Sequence, residues 1–498
     1  MQSARSVDRQ EPKYERRQPE HTLLYQIIEQ HYPLLKEHLN TQGRPLPGYV
    51  QNEFEGFLGC GCLENGFLRL RCEQCKHERL VAFSCKRRGF CPSCGARRMA
   101  ESSALLVDEV FPEQAVRQWV LSFPYPLRFL LATRPAVMSR VLGIVYRVIA
   151  THLIKQAGYT QQTARTGSVT LIQRFGSALN LNIHFHMLFL DGVYADYPNG
   201  GVRYRWAKAP TSETLNRLAH SIATRVGRYL ERQGLLERDA EQSYLTLDTE
   251  EENPMNDLMG HSITYRIAVG PQAGRKVFTL QTLPACDPLD MLGSSVGKVA
   301  GFSLHAGVAA KAKERNKLER LCRYISRPAL STRRLSLTRG GLVRYELKTP
   351  YNDGTTHVLF EPLDFIARLA ALVPRPRMNL TRFHGVFAPN SKHRALVTRA
   401  KRGKGQRKDK SAGQGEPATT PAERHAAMTW AQRLKRVFNI DIDTCEACGG
   451  TVKVIACIED PQVIKKILDH LKEKAALSPS RLLPENRAPP DDLFDGLI

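Results

Sequence analysis

One stretch constrains this chain more than any other: Asn182-Ile183-His184-Phe185-His186-Met187-Leu188-Phe189-Leu190-Asp191-Gly192. Its β-branched, aromatic and apolar content, closed by Asp191-Gly192, predicts a buried strand ending in a turn. Side chains two apart on a strand share a face, so His184 and His186 project together while Ile183, Phe185 and Met187 point the other way. Two neutral imidazoles side by side on a rigid sheet make half of a divalent-metal site. The same pattern also arises from two satisfied strand histidines, so the surrounding chain has to decide between them.

Cysteine spacing is the second constraint. Cys72-Glu-Gln-Cys75 and Cys91-Pro-Ser-Cys94 are C-x-x-C knuckles fifteen residues apart, a separation that suits one tetrahedral zinc held by both. Cys60, Cys62 and Cys85 lie in or beside the block, which leaves room for a second site or a substituted ligand. Arg87, Arg88, Arg97 and Arg98 interleave with Phe90, as suits a phosphate-facing surface. Farther on, Cys445-Glu-Ala-Cys448 with Cys457 is an incomplete zinc set.

Charge narrows the partner. The chain carries 72 Lys+Arg against 49 Asp+Glu, a net +23, which favours an anionic polymer, nucleic acid first. The start, Met1-Gln2-Ser3-Ala4-Arg5, leads into charge rather than an apolar signal region, and no uninterrupted apolar run approaches the ~18 residues of a membrane span. A cytoplasmic protein with no membrane partner is expected, where clustered cysteines bind metal more often than they form disulfides. With 42% hydrophobic residues over 498 positions, the core is ample for roughly three domains.

In order, helices are expected over Thr22–Leu39, Glu101–Phe111, Ser139–Gln156, Thr214–Gly234, Ala309–Arg327, Pro362–Val373 and Ala422–Val437. Strands are expected at Gln118–Phe123, Ser168–Phe175, Lys298–Val308 (with His305) and Val452–Ile458. The Ser168 strand and the histidine strand read as an antiparallel hairpin, and Asn352-Asp-Gly354 marks another between Gly341–Leu347 and Thr356–Phe360. The organisation is a 1–50 extension with a helix, a 51–100 zinc-binding domain, a 101–345 catalytic domain, a 346–390 hairpin and helix, a basic 391–421 linker, and a 422–498 C-terminal module.

Gln173, in the strand before the histidines, is placed to cross the hairpin and supply a carbonyl oxygen. Two imidazoles and one oxygen leave positions open for phosphate oxygens, a Lewis-acid arrangement for Mg²⁺ or Mn²⁺. On the basic helix, Leu318, Leu321, Cys322 and Ile325 form the apolar stripe, and Tyr324 lies beside it amid Arg320, Arg323 and Arg327. A free phenol is a poor nucleophile; guanidiniums and a metal would stabilise its phenolate and the phosphorane alike. The plain alternative is an interfacial tyrosine with snorkelling arginines.

The run Gln173-Arg-Phe-Gly-Ser-Ala-Leu-Asn-Leu-Asn-Ile-His-Phe-His186, with Leu321-Cys-Arg-Tyr-Ile-Ser-Arg-Pro328 downstream, resembles the HUH (His-hydrophobe-His) transposases of the insertion sequence 91 family. The similarity is greatest to its insertion sequence common region branch. The N-terminal knuckles resemble that family's zinc-binding domain, and His384-Gly-Val-Phe-Ala-Pro389 is another of its signatures. The resemblance implies an α+β fold with an RRM-like antiparallel palm, the Tyr324 helix packed against its histidine sheet. It implies a rolling-circle transposase that nicks and rejoins single-stranded DNA at element ends through a 5′-phosphotyrosine, acting in a bacterial cytoplasm at the nucleoid. It places the catalytic metal pair on His184 and His186 and the nucleophile on Tyr324; the residues themselves add Gln173 as third ligand, structural Zn²⁺ on Cys60, Cys72, Cys75, Cys85, Cys91 and Cys94, and DNA contacts on Arg87, Arg88, Arg320, Arg323 and Arg327. Many members carry His where this chain has Gln173. Founding members have two tyrosines four apart, whereas Pro328 stands four after Tyr324, as in a single-tyrosine scheme. Alternatives are a plasmid replication initiator or relaxase of the same chemistry, or a non-catalytic zinc-dependent DNA-binding regulator.

Overall fold

The computed structural model describes residues 18–197, 200–238, 243–245, 253–283, 296–401 and 443–476. The expected helix at Ala422–Val437 and most of the expected linker lie outside these. Mixed helix and sheet make an α+β fold, organised around a six-stranded antiparallel sheet. Its order is Val296–Val299, Phe302–Ala310, Val116–Ser122, Leu181–Leu190, Gly167–Phe175, Thr381–Gly385. The histidine strand is thus interior, with both backbone edges paired, and the hairpin with the Gln173 strand forms as expected.

Strand periodicity divides the sheet's two faces. Ile183, Phe185, Met187 and Phe189 join Trp119 and Leu121 in the larger core, beneath the helices Tyr125–Thr133, Pro135–Gln156, Ser212–Arg232 and Pro254–Ile263. The opposite face carries Leu188, Leu190, Val169 and Leu171, covered by Leu318, Leu321, Cys322 and Ile325 of the helix Arg315–Ile325. Pro135–Gln156 is long and apolar enough to cross a membrane, but its apolar residues are buried in the larger core.

Several sequence expectations shift, among them the helix expected from Glu101, which begins at Pro92. Lys298–Val308 is a hairpin rather than one strand, because Ala300 (φ 48°) and Gly301 (φ 78°) form a two-residue turn between Val299 and its partner Phe302. The basic helix starts at Arg315, not Ala309, because the preceding strand runs on to Ala310 and the Lys311 amide donates to the Glu314 carboxylate in a turn. The hairpin around Asn352-Asp-Gly354 forms, Val343 facing Phe360, with Gly354 at φ 84°. Residues 391–401, read as linker, are folded: Val397 is buried in the smaller core and His393 bonds Asp196 at 2.7 Å.

The C-terminal strand Val452–Ile458 pairs antiparallel with Phe67–Cys72, which also pairs with Glu78–Ala82. Residues 443–476 therefore complete a sheet of the N-terminal domain. The bond partners of a strand are chosen by long-range docking, which periodicity does not encode.

Candidate active site and cysteine clusters

The ladder register puts Gln173, His184 and Ser122 in one row across three strands, and Leu171, His186, Val120 and His305 in the next. Directly opposed residues share a face, so all of these look toward the Arg315–Ile325 helix. His184 Nε2 and His186 Nε2 lie 3.1 Å apart. The Asn182 carbonyl, 3.0 Å from His184 Nδ1, can only accept, so the proton of neutral His184 is on Nδ1. His184 Nε2 then accepts from His186 Nε2–H, and His186 Nδ1 accepts from the Gln118 amide at 2.7 Å.

Burial keeps both rings neutral. It pushes His184 down to about 4, with the Arg327 and Arg128 charges adding to it. His186 is held well below the ordinary histidine range by burial, then by His184 and Arg327. Neutral imidazoles are what a metal requires.

Gln173 is 4% exposed. Its amide N–H donates to the Ile325 carbonyl at 2.6 Å, which turns its Oε1 away from that bond. That oxygen is buried without a hydrogen-bond partner. A buried unsatisfied carbonyl on the residue paired across the ladder with His184 fits an oxygen as third ligand to a divalent cation.

The helix holding Tyr324 is pinned at both ends. The Arg315 guanidinium donates to the carbonyls of Val107, Phe111 and Pro112, and Gln173 holds Ile325. Tyr324 thereby stands edge-on to His186, ring centroids 6.2 Å apart. Arg327, just past the helix end, covers the Tyr324 ring at 4.2 Å, and Lys348 lies over it at 4.8 Å.

The thiols assemble differently from the expected single site. Cys60, Cys85, Cys91 and Cys94 form one cluster; Cys72, Cys75, Cys445 and Cys448 form another; in each, all sulfurs lie within 4.8 Å of one another. Cys72-x-x-Cys75 and Cys91-x-x-Cys94 thus belong to separate clusters. The reason is geometric: the first knuckle joins two strands of a hairpin, while Cys91 and Cys94 sit at the start of the helix Pro92–Leu105 beside Cys60. Cys62 and Cys457 belong to neither cluster.

Two family comparisons match. Residues 27–123 match the family described as "Transposase zinc-binding domain", of the insertion sequence 91 type, and residues 167–395 match the one described as "Putative transposase". The chain belongs to the insertion sequence 91 family of transposases. No curated protein and no solved structure matches it. The second match contains Gln173, both histidines and Tyr324; the first contains the whole Cys60–Cys94 cluster, which fits the structural zinc of that domain.

Of the transposase's expected DNA-contact residues, Arg327 lies at Tyr324 and Arg320 is exposed on the same helix. Arg323 pairs with Glu319 at 3.3 Å. Arg88 donates to the Met378 and Arg375 carbonyls, and Arg87 lies against Gly56 so closely that a Cβ there would meet its Nε at 2.6 Å. Arg88 thus ties the zinc-binding segment to residues 375–378, whereas Arg87 packs within the segment. Sequence reasoning missed Gln118 and Lys348. Gln118 carried a faint signal, a buried polar residue next to the apolar run Trp119–Leu121; Lys348 carried none, since only the fold brings it to Tyr324.

Proposed function

We propose that this transposase is an HUH enzyme with an RRM-like palm, of the insertion sequence common region branch, that nicks and rejoins single-stranded DNA at element ends during rolling-circle transposition. The observation that carries the reading is the paired His184 and His186, with Tyr324 next to His186 and the orphaned Gln173 Oε1 on the residue opposite His184. Gln173, His184 and His186 would hold Mg²⁺ or Mn²⁺, which when bound polarises the scissile phosphodiester.

Tyr324 Oη attacks the phosphorus and the P–O3′ bond breaks. The products are a 5′-phosphotyrosine and a free 3′-OH, the phenolic proton leaving to the departing 3′ oxygen by way of solvent. Arg327 and Lys348, over the Tyr324 ring, stabilise the developing phosphorane charge. Rejoining is the reverse attack by a 3′-OH, which releases Tyr324. Because the phosphotyrosine conserves the bond energy, no nucleotide hydrolysis is needed, and the chain has no G-x-x-x-x-G-K-[ST] loop. Arg320 contributes a phosphate contact outside the site.

Presenting both Nε2 lone pairs to one ion requires His186 to carry its proton on Nδ1. Gln118 then turns its amide so that Oε1 accepts that proton, a positioning role.

The test is incubation of the protein with labelled single-stranded oligonucleotides from the element ends, with Mg²⁺ or Mn²⁺. A covalent protein–DNA adduct and a nick are expected. Binding without cleavage would favour the non-catalytic regulator instead.

A further inference from the structure

We propose that Cys72, Cys75, Cys445 and Cys448 form a second structural zinc site, one that clasps the C-terminal segment onto the N-terminal domain. The matched zinc-binding family spans residues 27–123 and contains only half of this ligand set. The proposal is independent of the HUH reading.

Sulfur geometry comes first. Cys72 Sγ lies 3.5 Å from Cys448 Sγ, and Cys75 Sγ 3.5 Å from Cys445 Sγ. A tetrahedron with metal–sulfur bonds of ~2.3 Å has edges of about 3.8 Å. Disulfides need ~2.05 Å, and they would pair the sulfurs rather than gather four of them.

The two knuckles are also built alike, although they are far apart in sequence. In one, the Cys72 amide donates to the His77 carbonyl at 2.8 Å; in the other, the Cys445 amide donates to the Gly450 carbonyl at 2.8 Å. Both bonds span five residues. In both, the residue after the second cysteine is left-handed, Lys76 at φ 60° and Gly449 at φ 73°. Each knuckle then leads into a strand, Glu78–Ala82 or Val452–Ile458. The Glu73 amide donates to the Thr451 carbonyl at 2.9 Å, and Arg79 pairs with Glu446 at 3.3 Å, so the knuckles face each other directly. This is the paired-turn arrangement that presents four thiolates to one tetrahedral ion.

The local core is too small to do this work alone. Phe67, Ile464 and Leu468 are its buried members, with Leu63, Leu80, Ile458 and Ile467 packed around them. Small cores of this kind need a staple such as a structural metal. The N-terminal sheet is therefore finished by the far end of the chain, with zinc closing the loop between Cys75 and Cys445.

The experiment measures zinc per chain by native mass spectrometry of the full-length protein. Two zinc ions are expected, falling to one in the double variant Cys445→Ser, Cys448→Ser. One zinc in the unmodified protein, or two retained in the double variant, overturns the proposal. Should the variant fail to fold, cobalt titration of the unmodified protein substitutes for it: thiolate-to-cobalt absorption is expected to saturate at two equivalents, and saturation at one is refuting. A specific protease site inserted after Gly413 reads the clasp itself. The cut halves should co-elute in zinc and separate on chelation; separation before chelation counts against the clasp.

Discussion

Tyr324 stands edge-on to His186, the ring planes 85° apart and the centroids 6.2 Å apart. The contact places a phenol beside the imidazole pair while Gln173 ties the same helix end to the adjacent, His184 row of the sheet. The proposed metal ligands and nucleophile are thus held by one short set of bonds, and each can be removed separately.

Removing the Tyr324 hydroxyl tests the nucleophile apart from the fold. Tyr324→Phe keeps the ring against His186 and under Arg327, so folding, zinc content and single-strand binding should be unchanged. Adduct formation and nicking should vanish. Peptide mapping of the wild-type adduct should recover the oligonucleotide on Tyr324; recovery on Tyr265 or Tyr345 would move the nucleophile and keep the chemistry.

For the histidines, His184→Ala or His186→Ala should abolish cleavage. Affinity for single-stranded DNA should change by no more than about twofold, since basic residues carry it. Isothermal titration with Mn²⁺ should show the site lost. Gln173→Ala should weaken the same titration; an unchanged isotherm would remove Gln173 from the ligand set.

Gln118→Leu leaves His186 Nδ1 without its partner. Mn²⁺ affinity should fall ~10–100-fold, the usual cost of losing a ligand's supporting hydrogen bond. Gln118→Glu, which keeps an acceptor oxygen, should recover part of that loss. Equal affinity in all three proteins would mean that the amide does not orient the ring.

Histidine burial sets a pH dependence. Folding holds His184 near 4 and keeps His186 well below the ordinary histidine range, whereas an unfolded histidine titrates near ~6.5. Between those values the unfolded chain binds more protons, so stability is complete above ~6.5 and falls as pH drops toward 4. Thermal unfolding of the metal-free site from pH 7.5 to 4.5 should show that decline. It should be shallower in a His184→Asn, His186→Asn variant, while any zinc release at low pH acts on both proteins alike.

Replacing Cys91 by Ser should unfold the N-terminal domain, because Cys91 is buried and three other thiols face the same ion position. Circular dichroism with zinc analysis would show the loss; a folded, zinc-replete variant would contradict it.

Local chemistry carried a good deal of this. Period-two alternation put His184 and His186 on one face, and the short Gln173-to-His186 connection made the hairpin, so the row that holds the site was written in neighbouring residues. Helical spacing likewise set Tyr324 beside an apolar stripe, even though the helix began six residues later than its composition suggested. The C-x-x-C knuckles were legible as knuckles because each is a turn of four residues.

What tertiary structure alone decided is which distant pieces meet. Cys72 and Cys75 took Cys448 and Cys445, 376 and 370 positions away, instead of the nearer Cys91 and Cys94. Gln118 reached His186 from another strand, and Lys348 reached Tyr324 from a separate hairpin. A turn or a strand face follows from interactions a few residues long. The partner of a thiol, an amide or a strand edge follows from where whole elements dock, and docking is settled by core packing summed over the chain.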